Sequence, residues 1–134
     1  QAKLRHEADV MRVFFAFWPH AYALTGDDVD PSYRADRELT IGKPGESRAY
    51  FVDLDEGTEA LSQVRARLTM YDGSPHTALF VAPTPIRAGE VLAVCANPAV
   101  YTTTIDRCLA DPWARHWRNR PGELGRVELP AAKA

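Results

Sequence analysis

The 134-residue chain has only two cysteines, Cys95 and Cys108, and no CxxC pair, so neither a disulfide-dense scaffold nor a zinc ribbon can be read from it. Its four histidines, His6, His20, His76 and His116, fall in no HxH, HxxxH or HExxH spacing, which removes the local transition-metal motifs. GxGxxG and GxxxxGK[ST] are both missing, and with them the sequence-coded phosphate cradles of nucleotide chemistry. Charge of one sign is also scarce. Sixteen bases against eighteen acids leave a net charge of -2, too little for a sequence-independent attraction to nucleic acid or an anionic membrane. The longest apolar stretch, Val10 to Leu24, is interrupted by Arg12, Pro19 and His20 and falls short of the roughly 20 apolar residues a spanning helix needs. No nucleic-acid partner, no membrane span and no cofactor are expected.

What is present is a globular mixture, 46% hydrophobic and 25% charged, on a chain long enough to bury about two-thirds of its unfolded surface. Acids outnumber bases in residues 1–60, and bases outnumber acids in residues 61–134. In one folded unit this could separate an acidic from a basic face, although scattered surface charges give the same difference.

Hydrophobic patterning predicts mostly strands. Val10 to Trp18 is rich in β-branched and aromatic residues and stops at Pro19, which suggests a buried strand, with a helix over 2–18 as the alternative. Arg37 to Ile41, the turn Gly42-Lys43-Pro44-Gly45 and Glu46 to Leu54 predict strand, turn, strand. The third of these has apolar residues on both faces, as a central strand does. Gln63 to Tyr71 alternates apolar and polar and, with Thr77 to Ala82 across Asp72-Gly73-Ser74-Pro75, predicts a hairpin. Pro83-Thr84-Pro85 reads as a break and Ala88-Gly89 as a turn, before β-rich runs at Glu90 to Cys95 and Tyr101 to Ile105. Asp111-Pro112 has the chemistry of a helix start, predicting a short helix over Pro112 to Asn119. A last edge strand is expected at Arg126 to Leu129. The fold expected is therefore all-β: a two-layer antiparallel β-sandwich of about seven strands with one short C-terminal helix. Residues 1–9 form a polar lead-in, 10–129 the domain and 130–134 a disordered tail.

Candidate chemistry is thin. Asp27, Asp28 and Asp30 bunch hard oxygen ligands of the kind calcium prefers, yet without the EF-hand ligand order, so a solvated loop explains them as well. No serine lies in a GxSxG setting, and Asp53 with Glu56 is one of many acid pairs that eighteen acids make inevitable. Cys95 and Cys108 are the disulfide candidate, Cys95 as a buried small hydrophobe the alternative. The most distinctive segment is Trp113 to Arg120. If helical, it sets Trp113 and Trp117 on one face and Arg115 with Arg118 on another, and both residue types dominate protein interfaces. The alternative is that the two Trp cap the core.

The stretch RELTIGKPGESRAYFVDLDEGTEAL resembles the strand, PGES turn, strand pattern of exported bacterial β-sandwich modules, among them the type VI secretion lipoproteins of transthyretin-like fold. It covers about a fifth of the chain, and Pro83 to Cys108 has no counterpart there. The resemblance implies a β-sandwich and an exported protein. A start at Gln1 leaves room for a removed leader, so a periplasmic or extracellular location is expected, a cytoplasmic one being the alternative. The function expected is a non-catalytic protein-interaction or structural module of the cell envelope or a secretion assembly, with Trp113, Arg115, Trp117 and Arg118 touching another protein. Two alternatives stand beside it: a small hydrolase or ligand-binding protein using His20, His76 and the Asp27 to Asp30 loop, and an immunity or inhibitor protein whose acidic half meets a basic partner.

Overall fold

A computed structural model of the chain describes residues 2–16, 24–27, 37–41, 48–73, 77–112, 114 and 116–119. Its elements are α1 (Ala2–Ala16), β1 (Leu24–Asp27), β2 (Arg37–Ile41), β3 (Arg48–Leu54), α2 (Leu61–Thr69), β4 (Thr77–Ala82), α3 (Pro85–Val94), β5 (Val100–Thr104) and α4 (Ile105–Ala110). The five strands form one mixed sheet in the order β1-β2-β3-β4-β5. β1, β2 and β3 are antiparallel neighbours, whereas β3, β4 and β5 run parallel.

The expected antiparallel β-sandwich is therefore overturned: this is an α/β arrangement with helices on both faces of one sheet. One core lies on the α1 and α4 side, around Val10, Val13, Tyr50, Val52, Leu54, Leu79, Val81, Cys108 and Trp117. The other lies on the α2 and α3 side, around Phe51, Val64, Leu68, Tyr71, Phe80, Val91 and Val100. Because β4 is covered on both faces it reads as a nearly unbroken apolar run, TALFVA, with every residue after Thr77 buried. β3 is the central strand its two apolar faces predict, and its hairpin with β2 forms as expected, Thr40 opposite Ala49 and Leu39 opposite Tyr50.

Three segments expected as strands are helices, each for a physical reason. In α1, Val10 and Val13 are buried while Arg5, Ala8, Arg12 and Phe15 are exposed, a three-and-four spacing that only a helix produces. Residues 2–9, expected as a lead-in, are its first half. In α2 the alternation of Val64, Ala66, Leu68 and Met70 competes with the helical series Leu61, Val64, Leu68, Tyr71, and the helical series is the one that packs: Ala66 and Met70 are exposed. α2 is thus the crossover from β3 to a parallel β4, not half of a hairpin. In α3, Thr84 is an N-cap with extended backbone whose Oγ1 accepts the Arg87 N–H at 3.2 Å, and Pro85 follows at the first helical position, where its missing N–H is harmless. What reads as a break is a helix start.

The helix expected over Pro112 to Asn119 does not form among the described residues there; Arg118 instead pairs with Thr102 as an isolated antiparallel bridge on the outer edge of β5. The strand expected at Arg126 to Leu129 and the tail 130–134 lie outside the described residues. No described helix is long and apolar enough to cross a membrane.

Candidate functional site

In an open α/β sheet ligands gather at the carboxyl ends of parallel strands, so the ends of β3 and β5 are where chemistry is sought. At the end of β3, Asp53 and, just past it, Asp55 are 1% and 4% exposed. Asp55 takes a two-pronged contact from Arg87, Nε to Oδ2 at 2.6 Å and Nη2 to Oδ1 at 3.3 Å, and its Oδ1 also accepts the Gly57 N–H. Gly57 adopts φ +79, and a Cβ there would lie 3.1 Å from Pro83, so the turn requires glycine. Arg87 further donates to the Glu59 carbonyl at 2.7 Å, and the carboxylate beside it holds its guanidinium above the ordinary arginine range. Asp53 meets the Tyr71 hydroxyl at 3.3 Å and Arg67 Nε at 3.4 Å, while Arg67 Nη2 reaches Glu59 at 3.0 Å. These Arg67 contacts are close ion pairs that miss hydrogen-bond alignment. Arg67 also lies over the Phe80 ring. Each acid here has a cation against it, so the cluster ties α2 and α3 to the sheet and offers no free carboxylate pair to a metal or a proton-transfer step.

Beyond β5 the situation differs. Thr102, Thr103 and Thr104, with Pro85, Ala88, Gly89 and Leu92 of α3, Arg107 of α4, and His116 and Arg118, line a partly open cavity of about 190 Å³ whose residues Gly89, Arg107 and Arg118 are exposed. No acid is among these lining residues, and neither Arg107 nor Arg118 has an ion pair with a described residue. Thr104 caps α4 by accepting the Arg107 N–H. His116 Nε2 lies 2.7 Å from the Asp111 carbonyl, which can only accept, so the ring carries a proton there; in the neutral ring Nδ1 accepts the Thr103 hydroxyl at 2.6 Å. Both ring nitrogens are thereby occupied, leaving no free base. Thr102 is 1% exposed and its Oγ1 has no hydrogen-bond partner. Its backbone, by contrast, is locked to Arg118 in both directions, at 2.7 and 2.9 Å.

A larger hollow of about 420 Å³ lies at the opposite end of the parallel strands, between the last turns of α2 and α3. Its charged lining residues, Arg65 and Asp72, are of opposite sign, and none of the lining residues holds a buried polar atom without a partner.

Of the residues singled out from the sequence, Arg118 lines the β5 cavity, and Trp117 is 1% exposed in the α1 and α4 core, its indole N–H donated to the Pro112 carbonyl at 2.9 Å. Trp113 and Arg115 lie outside the described residues, as do Asp28, Asp30, His20 and His76; Asp27 ends β1. Among the described residues no group of three His, Cys, Asp or Glu side chains could hold a metal. Cys95 and Cys108 are free and buried in the two different cores, so the sheet stands between them and no bridge joins them. Asp53 and Glu56 part company, Asp53 facing Arg67 and Glu56 contacting His6 at 2.9 Å. The residues sequence reasoning passed over are Gly89, Thr102 to Thr104 and Arg107. Their signal was present in the capping threonine of Thr84-Pro85 and in the threonine run that precedes Asp106-Arg107. Compared with known protein families and with curated proteins, the chain matches none.

Proposed function

We propose that this domain binds a small molecule in the cavity at the carboxyl end of β5 and holds it without turning it over. The observation that carries this is Gly89. Glycine inside a helix costs about 1 kcal/mol relative to alanine, yet a Cβ at Gly89 would meet no atom within 4 Å and its φ is not positive. Neither packing nor backbone geometry asks for glycine there. Gly89 is exposed and lines the cavity, so the absence of a side chain there leaves the cavity's mouth clear, a loss of stability that fits a site kept for a ligand. Binding rather than catalysis is favoured because His116 has both nitrogens engaged and Cys108 is buried in the α1 and α4 core and does not line the cavity, its thiol pushed up to about 12 by burial.

Gly89→Leu tests this. The new side chain fills the cavity and removes a helix-interior glycine, so the unliganded variant should melt no lower than the parent. Thermal-shift screening of both proteins against a library of small metabolites should return compounds that stabilise the parent and leave Gly89→Leu unmoved. Equal responses from the two proteins would count against the proposal.

A further inference from the structure

We infer that the group this cavity takes is an oxyanion, phosphate or carboxylate, gripped by the Thr102 hydroxyl together with Arg107 and Arg118. The inference rests on the ligand-binding reading above and gives it a chemical class. Thr102 is the starting point. A threonine whose hydroxyl is buried without a partner carries the desolvation penalty of that oxygen, and valine would fill the same shape without it. The hydroxyl therefore points to a partner that is not part of the polypeptide.

The sign of that partner follows from the walls. Arg107 and Arg118 line the cavity, neither is neutralised by a described residue, and no described lining residue is acidic. A guanidinium presents its N–H groups as a fork that matches the oxygens of phosphate or carboxylate, while the hydroxyl supplies a further donor from inside. Register supports the combination. Arg118 and Thr102 are joined by two backbone hydrogen bonds, so the guanidinium stem and the buried hydroxyl start from the same point of the sheet edge. Thr103 is not available to help, its hydroxyl being held by His116. At about 190 Å³ the space holds about six waters, room for an anionic group on a small skeleton and too little for a dinucleotide.

Calorimetric titration and thermal shift with inorganic phosphate, acetate and glycerol, at matched ionic strength, decide it. Phosphate or acetate should raise the melting temperature of the parent along a saturating curve, which separates binding from the unsaturating stabilisation phosphate gives by exclusion from protein surfaces. Thr102→Val should weaken that anion about tenfold while raising the melting temperature of the unliganded protein, and Thr102→Ser should restore binding. Arg107→Gln and Arg118→Gln should each weaken the anion too, and Gly89→Leu should abolish it. A second arm with glycerol phosphate distinguishes a free ion from an ester: tighter binding than inorganic phosphate assigns the skeleton as well as the anion. Saturable anion binding that is equal in Thr102→Val, or a fall in the melting temperature of that variant, would overturn the inference. A response to glycerol alone, lost in Gly89→Leu, would overturn the anion and leave ligand binding standing. No response to any probe, with the metabolite screen equally silent, would remove both.

Discussion

The ends of β3 and β5 are two polar regions on the same side of one sheet, and they differ in whether their charges are matched. At β3, Asp55 is clamped by Arg87 and Asp53 is met by Arg67 and Tyr71. At β5, a buried hydroxyl, Arg107 and Arg118 line one cavity with no acid among its described lining residues. The acids at the end of β3 are the more deeply buried charges, yet they are the less promising place for a ligand. Burial of charge by itself reports cohesion when the opposite charge is already supplied; it is the unmatched group that points outside the chain.

Breaking the matched region should have the largest effect. Asp55→Ala removes the carboxylate paired with Arg87, leaving its guanidinium only the Glu59 carbonyl, and is expected to cost about 3–5 kcal/mol in chemical denaturation, whereas Asp55→Leu with Arg87→Met should recover most of it. A small loss in the single variant would mean that water replaces the carboxylate and that the two regions are less different than described. Trp117→Ala, in the α1 and α4 core, is expected to cost a similar amount, about 3–5 kcal/mol, because a fully buried indole and its hydrogen bond to Pro112 are lost together. Were Trp117 instead a contact for another protein, denaturation would be little changed and capture of that protein lost.

Smaller effects sharpen the contrast. Gly89→Ala should stabilise by about 1 kcal/mol, a rise of a few degrees in melting temperature, since the added methyl meets no neighbour. Destabilisation would show that the glycine is structural. The smallest effect is chemical. Burial pushes the Cys108 thiol from an ordinary 9.0 up to about 12, so the folded state keeps a proton that the unfolded state releases. Stability from this group is complete below pH 9 and is lost as pH rises toward 12. Native protein at pH 8.5 should resist alkylation at Cys108, read by mass spectrometry, until denaturant is added.

The central part of this fold was legible in the sequence and its edges were not. β3 declares itself by apolar residues on both faces, and the β2–β3 hairpin by its turn chemistry. α2 misleads because Leu61, Val64, Leu68 and Tyr71 share their segment with an equally regular period-two series, and nine residues are too few for one period to exclude the other. α3 misleads because proline is both a breaker and a good first residue of a helix, and the preceding threonine, which decides between them, acts through a hydrogen bond. The cavity could not be seen at all. Gly89, Thr102, Arg107 and Arg118 come from three elements and a bridge, and no spacing along the chain encodes their meeting. The resemblance to exported β-sandwich modules rested on the hairpin alone, which both architectures contain.

The change from antiparallel to parallel pairing at β3 bears on the order in which the chain assembles. β1 to β3 are joined by connections of nine and six residues, whereas β4 and β5 must wait for α2 and α3 to be laid across the sheet. Loop-closure entropy then places the meander early and the edge strand that walls the cavity late. Kinetic φ-values higher in β2 and β3 than in β5 would bear this out, and the reverse gradient would refute it.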